Sequence, residues 1–159
     1  MHKLDDRDIQ ILSVLSQEGR ISKTELARRV ALSPTPCWER LQRLEKAGII
    51  TSYRAEIRLK LLAPHVEVFV LAELEDHRAQ TMQTFERAVE RYEDITSCWA
   101  LGGGYDYLMR VICKDIDSYQ RMIDRLLEER VGLARYFTYI VTKPVKNSVA
   151  PLGALLTDR

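Results

Sequence analysis

Residues 21–49 read ISKTELARRVALSPTPCWERLQRLEKAGI, and this stretch decides the N-terminal fold. Ser22-Lys23-Thr24-Glu25 is a capping-box sequence, in which the Ser22 hydroxyl accepts from the third helical amide while Glu25 reaches back to the cap. Ile21 and Leu26 suit a hydrophobic staple, and Leu26, Ala27 and Val30 form the inner face of a short helix. Leu32-Ser33-Pro34 interrupts it. Ser33 then serves as N-cap and Pro34 as the first helical residue, with Pro36 still in the first turn, where a missing amide costs little. This next helix runs to Ala47, and Gly48 ends it. A short helix, a tight turn and a longer helix in succession have the spacing of a helix-turn-helix.

The longer helix has two faces. With Leu41 as the core direction, Cys37, Leu44 and Gly48 lie near it at ~100° per residue. Pro36, Glu39, Arg43 and Lys46 point the other way, flanked by Thr35, Arg40 and Gln42. Polar groups suit base edges and cations suit phosphates. A merely solvated helix face has the same pattern, so the face alone leaves both readings open. Glu45 projects toward the core side and is expected to pair with an arginine or cap a neighbouring element; Trp38, on the flank, is expected to pack.

Working outward, Asp5 and Asp8 resemble a capped start for an earlier helix with an Ile9, Ile11, Leu12 and Leu15 stripe, closed by Gly19. Downstream, the alternation from Ile49 to Arg58 predicts one or two short strands, a wing or linker over residues 51–64, where Arg54 and Arg58 meet phosphate.

The second half changes period. Val66–Leu74 is β-rich, and Met82, Phe85, Val89 and Tyr92 recur at helical spacing. Residues 95–101 are β-like, Gly102-Gly103-Gly104 breaks the chain, and Tyr105–Cys113 alternates. Ile116, Tyr119, Ile123 and Leu126 give another helix, and Tyr136–Thr142 a fourth strand. The order β-α-β-β-α-β predicts an α+β, ferredoxin-like domain over residues 65–146, with helices on one face of an antiparallel sheet. The other face needs a cover, and a second copy packing sheet on sheet supplies it, giving a two-fold dimer. Such a dimer also presents two recognition helices to two half-sites. Residues 1–50 then form the helix-turn-helix domain and residues 147–159 a C-terminal tail.

The glycine segment is not a dinucleotide fingerprint, because it joins two strands rather than opening a helix. It is either a hairpin turn requiring positive φ, or a place where a ligand approaches the backbone closely, with Asp106 able to hold an ammonium group.

Charge supports the division. The chain carries +1 overall, yet residues 1–60 hold twelve basic and eight acidic side chains. Only the first half is suited to a polyanion. No apolar run approaches the ~20 residues that span a membrane, and the charged N-terminus lacks the apolar core of a signal peptide, which predicts a cytoplasmic protein. Cys37, Cys98 and Cys113 are too few and too scattered for a disulfide framework or a zinc site, so no metal and no cofactor is expected.

The segments at residues 4–12, 19–22, 32–37 and 40–50, with Gly103-Gly104-Tyr105-Asp106-Tyr107, resemble the Lrp/AsnC ("feast/famine") regulators over residues 4 to about 146. The resemblance implies a winged helix-turn-helix followed by an amino-acid-sensing domain, in dimers that often assemble into octamers on double-stranded DNA. Arg28, Arg29, Arg40, Arg43 and Arg54 are the expected phosphate anchors, and Thr35, Pro36, Glu39 and Arg43 the expected base readers. Ser22, Lys23 and Ser33, at the helix starts, complete that surface. The resemblance places an effector, usually an amino acid, between dimers at Gly102, Gly103, Gly104, Tyr105, Asp106 and Tyr107, with Thr138 and Ile140 of the last strand. Many relatives carry an acid or polar residue where Gly104 stands.

Two other function classes compete. A sirohaem decarboxylase-like, tetrapyrrole-processing enzyme of similar architecture wants a basic or histidine-bearing pocket, and the net-acidic second half offers only His65 and His77. A protein-interaction module would turn the helix-turn-helix toward another protein, with binding insensitive to salt.

Overall fold

The computed structural model describes residues 4–156; Met1–Lys3 and Thr157–Arg159, the ends of the expected first domain and tail, lie outside the described residues. The chain divides into two compact units, Met1–Ile57 with Lys146–Arg159, and Arg58–Val145.

The first unit is helical: α1 (Asp6–Gln17), α2 (Lys23–Arg29), α3 (Pro34–Lys46) and the short α6 (Leu152–Leu156). Local chemistry starts each of the first three. Asp5 and Asp8 form a complete capping box on α1. The Ser22 hydroxyl accepts from the Glu25 N–H at 3.1 Å. The return bond expected of Glu25 is replaced, because its carboxylate takes Arg28 and Arg29 instead. Pro34 opens α3 after Ser33. Gly48, at φ +69°, ends it, in the left-handed conformation that suits glycine. The core joins Ile11 and Leu12 of α1, Leu26 and Ala27 of α2, Val30, and Cys37, Leu41 and Leu44 of α3, with Leu152 packed against it. That contact gives the tail a place on the helical unit.

Residues 51–58, expected as wing strands, form no strand; they are exposed, and only a 3-10 turn at Leu59–Leu61 follows. The alternation of β-formers is there, but a strand needs a neighbour to bond its N–H and C=O groups, and the described residues supply none.

The second unit runs β1 (Val66–Leu74), α4 (Ala79–Val89), β2 (Ile95–Ala100), β3 (Tyr107–Cys113), α5 (Ile116–Glu128) and β4 (Leu133–Ile140). The expected β-α-β-β-α-β order is present. Its sheet is β2-β3-β1-β4, every pair antiparallel. The last strand starts three residues earlier than the pattern suggested, and β3 two residues later, because Tyr105 and Asp106 belong to the connection.

Alternation gives the sheet two different faces. Val68, Val70 and Ala72 of β1 and Tyr107, Met109 and Val111 of β3 face inward, where Phe85, Ala88 and Val89 of α4 and Tyr119, Met122, Ile123 and Leu126 of α5 cover them. Phe69, Leu71, Trp99, Leu108, Ile112, Phe137 and Tyr139 occupy the opposite face by register. Ion pairs Glu67–Arg110 at 2.6 Å and Glu73–Arg135 at 2.5 Å border them. No helix of this unit covers that face.

One glycine here is constrained twice. Gly132 sits at φ +80°, and a Cβ there would lie 2.5 Å from the Thr81 methyl. Gly132→Ala is therefore expected to cost more than about 1 kcal/mol, seen as a lowered urea midpoint with an unchanged slope.

Candidate functional site

The outward face of α3 carries the residues expected to meet DNA, and the structure sorts them. Thr35 and Glu39 are exposed and Pro36 is half-buried. Ser33, at the cap, is exposed and makes no side-chain cap bond. Arg54 is exposed, without a hydrogen bond or ion pair among the described residues. These groups are free to meet another molecule.

Lys23, Arg28, Arg29, Arg40 and Arg43 are held within the unit. Arg28 and Arg29 flank Glu25 at 2.8 and 3.0 Å, and Arg29 also reaches Glu18 at 2.8 Å. Hydrogen bonds from Arg28 first, then Arg29, hold the Glu25 carboxyl down at about 2. Lys23, expected beside DNA, lies over Trp38 with its ammonium 3.2 Å from the ring centroid, a cation–π contact. Trp38 packs half-buried against the helical core, as expected. Glu45 accepts from the Tyr53 hydroxyl at 2.8 Å. Its partner is thus a tyrosine from the irregular linker, and burial followed by this bond pushes the Tyr53 hydroxyl up to about 12.

Arg40 and Arg43 reach back to α1. Arg40 Nη1 donates to both Asp5 oxygens at 2.7 and 2.6 Å and to Asp8 Oδ1 at 2.9 Å. Arg43 Nη2 donates to both Asp8 oxygens at 2.7 Å. Arg40 also holds the Asp5 carboxyl below its ordinary range, chiefly through its hydrogen bond. Sequence reading gave Asp5 and Asp8 a capping role only; their second role depends on α3 packing across α1.

In the second unit the glycine segment connects β2 to β3. The Leu101 N–H donates to the Asp106 carbonyl at 2.8 Å, and the Asp106 N–H to the Ala72 carbonyl at 2.9 Å. The expected positive φ is absent: among the described glycines only Gly48 and Gly132 have it. A Cβ on Gly102, Gly103 or Gly104 would meet nothing within 4 Å. Neither turn conformation nor crowding within the chain explains three glycines here.

Asp106 stands beside that bare backbone with its side chain 16% exposed. Its Oδ2 accepts from the Leu74 N–H at 2.7 Å and its Oδ1 from the His77 imidazole N–H at 2.8 Å. His77 was not expected at this site. It lies 29 residues earlier, in the β1–α4 connection, and nothing local to it signals the contact. Tyr105 packs edge-on against Phe137, with ring centroids 5.5 Å apart.

The remaining expected residues stand apart from the turn. Tyr107 points into the core, stacked on Phe85 at 4.8 Å, and donates to Glu86 at 2.8 Å. Burial, then Glu86, pushes its hydroxyl well up. Thr138 and Ile140 pair with Val70 and Val68, nearer the start of β1 than Ala72. The Thr138 hydroxyl bonds the Tyr119 hydroxyl at 2.5 Å.

Residues 4–51 match the winged helix-turn-helix DNA-binding model, and residues 67–151 the Lrp/AsnC ligand binding domain model. The chain is 47% identical over 151 residues to the transcriptional regulatory protein DoeX of Halomonas elongata, covering 95% of this chain and 96% of the relative. It is 37% identical over 145 residues to the leucine-responsive regulatory protein of Escherichia coli, covering 91% and 88%. A Neisseria meningitidis transcriptional regulator solved with L-methionine superposes at a TM-score of 0.89 and 32% identity, covering 97% of this chain and all of that one. A helix-turn-helix unit followed by an α+β ligand-binding unit, matched along almost the whole length, places the chain in the Lrp/AsnC family of transcriptional regulators.

Proposed function

We propose that this regulator reads operator DNA with the outward face of α3 and takes an amino acid or related amine at the Gly102–Asp106 turn. The single observation that carries the effector site is the turn itself. Three glycines lie bare where neither φ nor packing within the chain requires them, next to a carboxylate already ordered by two hydrogen-bond donors. A carboxylate so fixed suits a ligand ammonium, and side-chain-free backbone lets the ligand approach. The Neisseria relative with L-methionine supports the ligand class.

The uncovered sheet face supports dimerisation. Exposed aromatics such as Trp99 and Tyr139, bordered by ion pairs, fit a self-complementary two-fold interface. The irregular linker at residues 51–58 would find strand partners in such a dimer. A neighbouring dimer would complete the effector pocket, and Thr138 and Ile140 would line it from the edge strand; octamers follow from the same contacts. The protein would act on cytoplasmic DNA as a regulator and not as an enzyme: its relatives are named regulators. His65 and His77 flank opposite ends of β1 and build no common basic pocket.

A thermal-shift screen of amino acids and related amines tests the proposal. A ligand at 100 times its dissociation constant stabilises by about 2.7 kcal/mol, a clear rise in melting temperature. A flat response to every amino acid and amine would contradict the effector reading.

A further inference from the structure

Among the described residues, Asp8 is the one charged side chain that is fully buried, at 1% exposure. A capping residue need not be buried: Asp5, its capping-box partner, is 54% exposed. Burying a carboxylate is costly unless partners surround it. Here the Asp5 N–H donates at 3.2 Å, Arg40 at 2.9 Å and Arg43 at 2.7 Å to each oxygen.

The two arginines are treated differently. Arg40 bonds three carboxylate oxygens on two aspartates and is 26% exposed, so it is a strut between α1 and α3. Arg43 is 59% exposed and anchored through Nη2 alone. Its Nε and Nη1 donate to nothing among the described residues. Two bonds to a buried carboxylate restrict where that guanidinium can sit, and a pre-ordered donor set loses less freedom on binding.

We infer that Asp8 is a positioning residue for DNA recognition: without touching DNA, it sets the pose in which Arg43 presents its outward nitrogens. The inference rests on the reading of α3 as the DNA face. It has an electrostatic consequence. Two aspartates offset two arginines, so the cluster adds little net charge toward phosphate, and Arg43 contributes to sequence preference more than to general attraction.

The consequence separates positioning from plain stability. Asp8→Asn in the full chain removes one negative charge and one of the two acceptors that hold Arg43. Affinity for a selected operator is expected to fall about tenfold, while affinity for random-sequence DNA rises and its salt dependence steepens by up to about one phosphate contact. A purely structural lesion lowers both affinities together, and that result overturns the proposal. If Asp8→Asn fails to fold by circular dichroism, Arg43→Lys decides. It keeps the charge and the partner but loses the fork, so discrimination between operator and random DNA should fall about tenfold with random-DNA affinity retained. Full discrimination in Arg43→Lys overturns the proposal. Arg43→Ala checks the underlying reading separately: unchanged operator affinity would show that this face does not meet DNA, and the proposal falls with it.

Discussion

Phe85→Ala is expected to destabilise the α+β unit by about 3–5 kcal/mol, the largest effect of any single truncation considered. Phe85 is 0% exposed and sits at the centre of the core formed by α4, α5 and the inner face of β1 and β3. Its ring stacks on Tyr107 at 4.8 Å, and Tyr107 in turn is tied to Glu86 on the same helix as Phe85. Truncation leaves a ring-sized void that β1 and β3 cannot close, since both are paired on each side. It also removes the packing that orders Tyr107 immediately after the Asp106 turn. For a unit of this size, about 3–5 kcal/mol lowers the melting temperature by more than about 10 °C. Calorimetry of the full chain measures it, and a loss below about 1 kcal/mol would show that the core is organised differently.

The second large effect concerns binding. Asp106→Asn keeps the size of the side chain and an acceptor for the Leu74 N–H, but removes the negative charge beside the bare glycine backbone. A hydrogen bond to a charged group is worth about 1.5–3 kcal/mol, so the affinity for an amine-bearing effector should fall about tenfold to a hundredfold. Without ligand the fold should be retained, because Asp106 lies in the β2–β3 connection and the amide that replaces its carboxylate still accepts from the Leu74 N–H. Titration calorimetry with the amino acid found in the screen reads this directly. Wild-type affinity in Asp106→Asn would remove the carboxylate from the site.

These effects depend on features that differ in how far they can be read from sequence. The helix starts were legible at Asp5, Ser22 and Pro34, and the stop at Gly48, because caps act over three or four residues and carry their own residue signature. The α+β topology was legible because a change from period 3.6 to period 2 survives in a single chain. The charge partners were not. Arg43 and Asp8 are 35 residues apart, and only the crossing of α1 and α3 brings them together. Lys23 and Trp38 meet for the same reason, as do His77 and Asp106. Face polarity identified which residues point outward from α3 but not which of them were already bonded. The linker failed in the opposite sense: alternation at residues 51–58 signals strand preference, while strand formation depends on a partner. The glycines were visible as a break, yet their lack of positive φ and of any close neighbour emerged only in three dimensions.

Operator recognition and effector binding at the glycine turn are proposed to be coupled. The most direct test is the affinity of the full chain for DNA selected from a random pool, measured from about 50 to 200 mM salt with and without the stabilising amino acid. A preferred sequence, affinity falling steeply with salt, and a shift of about fivefold or more when the amino acid is added are the expected results. Binding that shows no sequence preference, or that the amino acid leaves unchanged, would contradict it.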